Sequence, residues 1–250
     1  TVRFRFAFLD AGPAGCRPTA PATAAFLAIP GTPVPSPPPA RAQLTSSASG
    51  EGVYGAPAGF DRAGNWEVEV SVDLDGQTRT AKAAFPVLAH HAIPAVGDPA
   101  IPSDNLTVAS TGVPPTAIDS RATSAGAIPE PELHRTTIAA ALAAHRPIVV
   151  VLATPVFCVS RFCGPVTDMV DGLAKRYGDR AAFIHVEIYK DYSKQLINQT
   201  AMDWLLRNGD LVEPWVFVIG ADGRIVARFD NVTTPGELEP VIQALPAQPG

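Results

Sequence analysis

The stretch Ile148-Val149-Val150-Val151-Leu152-Ala153-Thr154-Pro155-Val156-Phe157-Cys158-Val159-Ser160-Arg161-Phe162-Cys163-Gly164-Pro165 decides how this chain folds. Its first five residues are an unbroken apolar, mostly β-branched run, which is how a strand buried on both faces reads. Pro155 ends that run. Beyond Cys163, the residues Val166, Met169, Val170, Leu173 and Tyr177 recur at helical spacing, and Gly178 supplies a stop. The segment is therefore strand, loop and helix, with Cys158 on the loop and Cys163 at the helix head. A helix N-terminus offers unpaired N–H groups and the positive end of a dipole, so a thiolate there is favoured and reactive. A second thiol a few residues away can resolve the mixed disulfide that such a thiolate forms. Arg161, between the two cysteines, adds positive charge. Closeness in sequence lets the two sulfurs pair, and a disulfide between them suits an oxidising compartment.

Further along the chain, Ala181 to Ile188 reads as another buried strand and Ser193 to Arg207 as a helix stopped near Gly209. Trp215 to Ile219 and Arg224 to Phe229 are strands joined by Ala221-Asp222-Gly223, and Pro235 to Leu245 is a final helix. Before the central strand, Thr136 to His145 is a short Ala-rich helix ended by Pro147. From Pro147 to Leu245 the order, spacing and turn chemistry resemble thioredoxin-fold redoxins, particularly exported bacterial proteins of the thioredoxin/TlpA type. The resemblance implies an α/β thioredoxin fold for residues 132–250, and a thiol–disulfide oxidoreductase acting on protein thiols or disulfides through Cys158 and Cys163. It also implies a cis bond at Glu213-Pro214, on a loop that faces the cysteines and binds substrate through Glu213, Pro214 and Trp215. One departure stands out. The family spaces its cysteines two residues apart, whereas here the pattern is Cys-x4-Cys, and Gly164-Pro165 follows the second cysteine instead of lying between the two. Pro165, like Arg161, is then a supporting residue.

Three readings of the pair stay open: thiol–disulfide exchange, a structural disulfide in a non-catalytic binding module of an envelope complex, and a thiol peroxidase. The last rests on the spacing of PrxQ-type peroxiredoxins, but Thr154-Pro155-Val156-Phe157-Cys158 has one residue too many for their Thr-Pro-x-Cys run. A copper site of the Sco type would need a distant histidine, and His185 lies on the second core strand, where a packed or rim residue is the expectation. His134 and His145 flank a helix and are expected to be solvated. No metal and no cofactor is assigned.

The first part of the chain has a different period. Val2, Phe4, Phe6 and Phe8 alternate with Arg3, Arg5 and Ala7, and Ala22 to Ile29 is a second strand. Arg41 to Ser46 and Gly52 to Tyr54 are weaker candidates. Trp66, Val68, Val70, Val72 and Leu74 share one face of a long strand whose other face is Glu67, Glu69, Ser71 and Asp73. Asp75-Gly76 is a hairpin turn signal, and the chain returns with Ala81, Ala83, Phe85 and Val87 alternating. Short strands with turns and no helical period imply an antiparallel sandwich over residues 1–88. Phe60 to Val70, closing with Phe85-Pro86-Val87, resembles the immunoglobulin-like bacterial envelope domains of the YtkA/FixH kind. That implies an immunoglobulin-like β-sandwich that docks a partner or positions the redoxin. Some such domains bind copper through His or Met, a role not carried over because no His precedes His90 and this part has no Met.

Residues 89–131 are rich in Pro, Ser, Thr and Gly with few apolar anchors, and are expected to form a linker or a surface-hugging segment. His90 and His91 at its start read as a solvated pair, since no third ligand lies at metal-site spacing. Composition bounds the rest. Hydrophobic residues make up 46% and charged residues 17%, as in globular domains, and the net charge of −5 gives no footprint for nucleic acid. Cys16 is expected to be a free thiol. The expected location is extracytoplasmic, periplasmic or cell-surface, in reach of an envelope membrane-protein complex, with anchoring by a segment outside this sequence left open.

Overall fold

Ile148–Ala153 (β7) carries no polar side chain, so neither of its faces can be left to water. The computed structural model describes residues 2–6, 22–29, 40–46, 52–74, 76–123, 125–160 and 162–246. The chain divides into two compact units at Ala92/Ile93.

In the first unit, Val2–Phe6 (β1), Ala22–Ile29 (β2), Ala40–Ser46 (β3), Gly52–Ala58 (β4), Gly64–Leu74 (β5) and Gln77–Val87 (β6) pair antiparallel in the order β1-β4-β3-β2-β5-β6. A short ladder, Ala22–Ala24 against Ala40–Ala42, joins the two halves. Ala56 and Ala58 of β4 pack in one cluster with Trp66, Val68 and Val70 of β5, although two strands separate them in the sheet, so the sheet curls on itself. Phe60 sits at the centre of this core, edge-on to Phe26, Trp66 and Phe85 at 5.7, 5.0 and 5.7 Å. The expected alternation holds in β5, where Trp66, Val68, Val70 and Val72 are buried. It does not bury β6: Ala81 and Ala83 are exposed and only Phe85 and Val87 are partly covered. β6 pairs with β5 alone, and no described strand lies beyond it to cover such small side chains.

In the second unit β7 is central. Ala182–Glu187 (β8) lies parallel to it, Trp215–Ile219 (β11) antiparallel to it, and Ile225–Asp230 (β12) antiparallel to β11, giving the order β12-β11-β7-β8. Alternate residues go to opposite faces. Ile148, Val150 and Leu152 join Ile184, Phe217 and Trp204 on one side, where Ile138–Ala143 (α1) and Gln199–Leu205 (α3) cover them. Val149, Val151 and Ala153 join Val166, Val170, Leu173, Leu238 and Ile242 on the other, under Cys163–Tyr177 (α2) and Pro235–Gln243 (α4). No described helix is long and apolar enough to cross a membrane.

Three expectations change. The helix expected over Ser193 to Arg207 is replaced by a small hairpin, Tyr189–Asp191 (β9) with Leu196–Ile197 (β10), before α3 begins at Gln199. Asp191 caps the intervening turn and Gln195 takes a left-handed φ of 54°, which breaks the helical register. Gly178 ends α2 without a left-handed φ; a side chain there would meet the Ala174 carbonyl at 2.8 Å. The segment from Ile93 to residue 131 is integral to the second unit. Gly97 N donates to Ile225 O, Ile225 N to Asp98 O and Ala100 N to Gly223 O, lacing the segment to the end of β12. Ser103 Oγ accepts from Trp204 Nε1 at 3.0 Å.

Trp204 is fully buried and joins this segment to α3. Trp204→Ala is expected to cost about 3–5 kcal/mol of stability in the second unit, the usual range for losing a buried aromatic. The urea midpoint of that unit, followed by circular dichroism, measures it.

Candidate functional site

The run of β7 stops at Thr154-Pro155, and the chain crosses the end of the sheet before α2 begins at Cys163. Cys158 and Cys163 are disulfide-bonded, with a Cα–Cα distance of 6.0 Å. Cys163 is wholly buried at the helix start and Cys158 is partly covered. Thr167 Oγ1 donates to Cys163 O and Val166 N to Phe162 O, fixing the first turn around the buried sulfur. Pro165 stands in that turn, where its missing N–H leaves no helical bond unmade. Arg161 and Cys16 lie outside the described residues.

The loop before β11 closes the site. The Glu213–Pro214 bond is cis. A carboxylate oxygen of Glu213 and both cysteine sulfurs lie within 4.8 Å of one another. Glu213 Oε2 is buried and has no hydrogen-bond partner. Burial raises this carboxyl, the charge of Glu187 adds to the effect, and the Thr154 amide opposes it, leaving a pKa of about 7. Pro214 is buried behind it and Trp215 is partly exposed. In a disulfide neither sulfur is a thiolate, so in this state the three groups form no metal-ligand set.

Glu187, at the end of β8, is 2% exposed. Its Oε2 accepts from Ser120 N at 2.8 Å and its Oε1 from Tyr189 N at 3.3 Å. Ser120 Oγ in turn accepts from Val156 N, so the segment before the core steadies the cysteine loop. Phe157, next to Cys158, stacks on Tyr192 at 3.9 Å, and Tyr189 meets Tyr192 edge-on. Val156, Val159 and Val212 around this rim are exposed by 54%, 96% and 59%.

Behind the site lies a group that the sequence reading missed. Asp119, His134 and His185 are all fully buried. His185 Nδ1 lies 3.4 Å and His134 Nε2 3.5 Å from Asp119 Oδ2. Arg121 Nη2 reaches the same oxygen at 2.7 Å, and Arg121 also pairs with Glu130 and with Asp168 on α2. His134 was expected to be solvated; the turn Pro131–His134 instead carries it into the interior. Only position in the fold, which no local pattern encodes, reveals this. Burial opposes the Asp119 charge, but His134, His185 and Arg121 outweigh it and hold the carboxyl far below its usual range. Burial also opposes charge on His185, yet Asp119 and Glu187 raise its pKa, whereas burial wins at His134 and lowers it. His185 Nε2 faces the Ala153 carbonyl at 3.1 Å, which can only accept, while Nδ1 faces a carboxylate. Nε2 therefore donates to that carbonyl, and the carboxylate beside Nδ1 favours the charged imidazole. With an arginine already seated on the shared oxygen, the cluster is a charge network and not a metal cage. His185 is packed, as expected for its strand. His90, His91 and His145 are exposed.

Compared with known proteins, the chain matches no family model, no curated protein and no solved structure.

Two measurements follow. Asp119→Ala leaves His185 in the interior without its counter-charge, while Arg121 keeps Glu130 and Asp168, and is expected to cost about 3–5 kcal/mol by chemical denaturation. For Glu213, the unfolded chain releases its proton near 4.5 and the folded chain near 7. Between those values the native state holds more protons, so stability falls as pH rises. Urea midpoints of the oxidised protein should drop from pH 5 to pH 8, and Glu213→Gln should flatten the drop, with the parts due to Glu187 and His185 and the opposing part due to His134 remaining.

Proposed function

We propose that this chain is an extracytoplasmic thiol–disulfide oxidoreductase, in which a unit of thioredoxin architecture carries the chemistry and a β-rich, immunoglobulin-like unit docks a partner or positions the enzyme. The observation that carries the reading is the asymmetry of the pair: Cys158 is partly exposed on the loop, and Cys163 is wholly buried at the head of α2. Attack on a substrate needs access; resolution needs only proximity. The sheet order β12-β11-β7-β8, with one parallel and two antiparallel neighbours and helices on both faces, supports the architecture.

In the forward direction the Cys158 thiolate attacks one sulfur of a substrate disulfide. The substrate S–S bond breaks, one substrate sulfur leaves with the electron pair and takes up a proton, and a mixed disulfide joins Cys158 to the other. Cys163 then attacks Cys158, releasing the second substrate thiol and leaving the cysteine pair oxidised. A dithiol protein restores the pair. The apolar rim of Val156, Val159 and Val212 beside the loop suits an incompletely folded polypeptide, whose apolar residues are still exposed. Glu213, Pro214 and Trp215, on the loop whose Glu213 carboxyl lies beside the sulfurs, hold the substrate chain. The disulfide itself favours an oxidising compartment.

With reduced protein and an insulin-type disulfide substrate, Cys158→Ser should abolish turnover and Cys163→Ser should accumulate mixed disulfides, seen by non-reducing electrophoresis and mass. A purely structural staple gives a different result: both substitutions lower stability by a similar ~2–5 kcal/mol and no mixed disulfide forms. Consumption of hydrogen peroxide that survives Cys163→Ser for one turnover would point to a peroxidase instead.

A further inference from the structure

We propose that Glu213 is the proton carrier of the cysteine pair and biases that pair towards giving electrons to substrate disulfides. The inference rests on the oxidoreductase reading and deepens it by assigning a catalytic residue and a direction.

The geometry supplies the case. A carboxylate oxygen of Glu213 lies within 4.8 Å of both sulfurs, whereas every other carboxyl of the site is engaged elsewhere: Glu187 by Ser120 and Tyr189, Asp119 by Arg121 and two histidines. Glu213 Oε2 is buried and unpartnered, so in the oxidised state the carboxyl that lies beside the sulfurs keeps an unused acceptor. A buried polar atom without a partner is rare and calls for an explanation. Here the missing partner is supplied by reduction, because a thiol brings an S–H that a disulfide lacks. Glu213 is only partly covered as a residue, so a proton received at the buried face can exchange with water. Among the described residues, the titratable groups facing it are Cys158 and Cys163 from α2 and its loop, Glu187 from β8 and Tyr189 from β9. None of these is a cation. A proton is therefore what keeps this corner from holding two adjacent negative charges.

The step balances as follows. In the mixed disulfide, the Cys163 S–H bond breaks and its proton passes to the Glu213 carboxylate. Cys163 Sγ forms a bond to Cys158 Sγ. The bond from Cys158 Sγ to the substrate sulfur breaks, and that sulfur leaves with the electron pair and takes the proton from Glu213. The cysteines are oxidised by two electrons, the substrate disulfide is reduced, and Glu213 ends as it began.

The direction follows from charge. The head of α2 favours a thiolate through its dipole, but an ionised carboxyl against the same sulfurs disfavours it. Destabilising the thiolate destabilises the reduced pair relative to the disulfide, which makes the pair a better electron donor. A pair that stabilises its reduced form behaves in the opposite way, as an oxidant.

Glu213→Gln separates these effects. The thiolate-to-thiol ratio of the reduced variant at neutral pH, read from thiolate ultraviolet absorbance, should rise about tenfold or more. Its exchange equilibrium with glutathione at pH 8 should shift towards the dithiol. Resolution of a mixed disulfide with a thiol-bearing peptide should slow about 100-fold or more at pH 6–7, far more than the initial attack by Cys158. A merely structural role would not move attack and resolution apart. Glu213→Asp, which keeps the acid but withdraws it by one methylene, should fall between wild type and Gln. If the Gln variant fails to fold, the infrared carboxyl band of the wild type serves: it should weaken on reduction at pH 7–8, as a cysteine S–H donates to the Glu213 carboxylate and favours its ionised form. Superimposable thiolate titrations with unchanged resolution, or a carboxyl band indifferent to reduction, would overturn the assignment. Loss of the oxidoreductase reading has a separate signature, since wild type would then turn over no disulfide while the titrations still report on Glu213.

Discussion

Everything in the second unit depends on β7 having no face that tolerates water. Six consecutive fully buried residues must be covered from both sides, and one helix layer cannot do that. Alternation sends Ile148, Val150 and Leu152 to α1 and α3, and Val149, Val151 and Ala153 to α2 and α4. Once α2 is committed to covering the second face, the chain must turn at the end of β7 and restart as a helix within a few residues. That turn is where the two cysteines lie. Their placement at a helix start is a by-product of covering the central strand.

The same constraint explains the charges collected behind the site. Parallel β8 ends beside β7, so His185 and Glu187, two residues apart on β8, emerge on the same face at that end of the sheet. Neither can be left alone there. The preceding segment brings Asp119 and Ser120 to them, and the turn at Pro131–His134 brings a second imidazole. Such groups contribute little net stability over well-packed apolar residues, but each makes its neighbours necessary. Glu213 Oε2, at the cysteine pair, is buried without a hydrogen-bond partner.

How much of this was legible in the sequence varies with range. The strand-loop-helix around the cysteines was readable because β-branched runs and helical spacing are local signals, and Cys163 falls at the first residue of α2. The long β5–β6 hairpin was readable from its period and its turn residues. The hairpin at β9–β10 was not, because Ser193 to Arg207 has acceptable helical composition and its breaks come from a cap at Asp191 and a left-handed Gln195. The Asp119–His134–His185 cluster was invisible for a deeper reason. Its members are 15 and 51 positions apart along the chain, and each has unremarkable neighbours. Pro, Ser and Thr in residues 89–131 read as a linker or surface-hugging segment, yet Ser103, Asn105 and Thr107 are buried because their polar atoms find backbone or side-chain partners. The sequence reading named Glu213 as a substrate-binding residue beside Pro214, without its relation to the sulfurs. Its buried carboxyl facing the sulfurs depends on three separate loops meeting.

The lacing of residues 93–131 onto the core also sets what counts as one heritable piece of this protein. A cut at the compositional change near residue 131 would preserve every strand and helix of the four-stranded sheet and both cysteines. It would also remove Asp119 and Ser120, leaving a protonated imidazole and an acid in the interior with their counterparts missing. Recombination or grafting that respects secondary structure alone would thus transplant a sheet with an uncompensated interior. The exchangeable module begins some forty residues earlier than its regular elements do, and its boundary is drawn by charge neutrality.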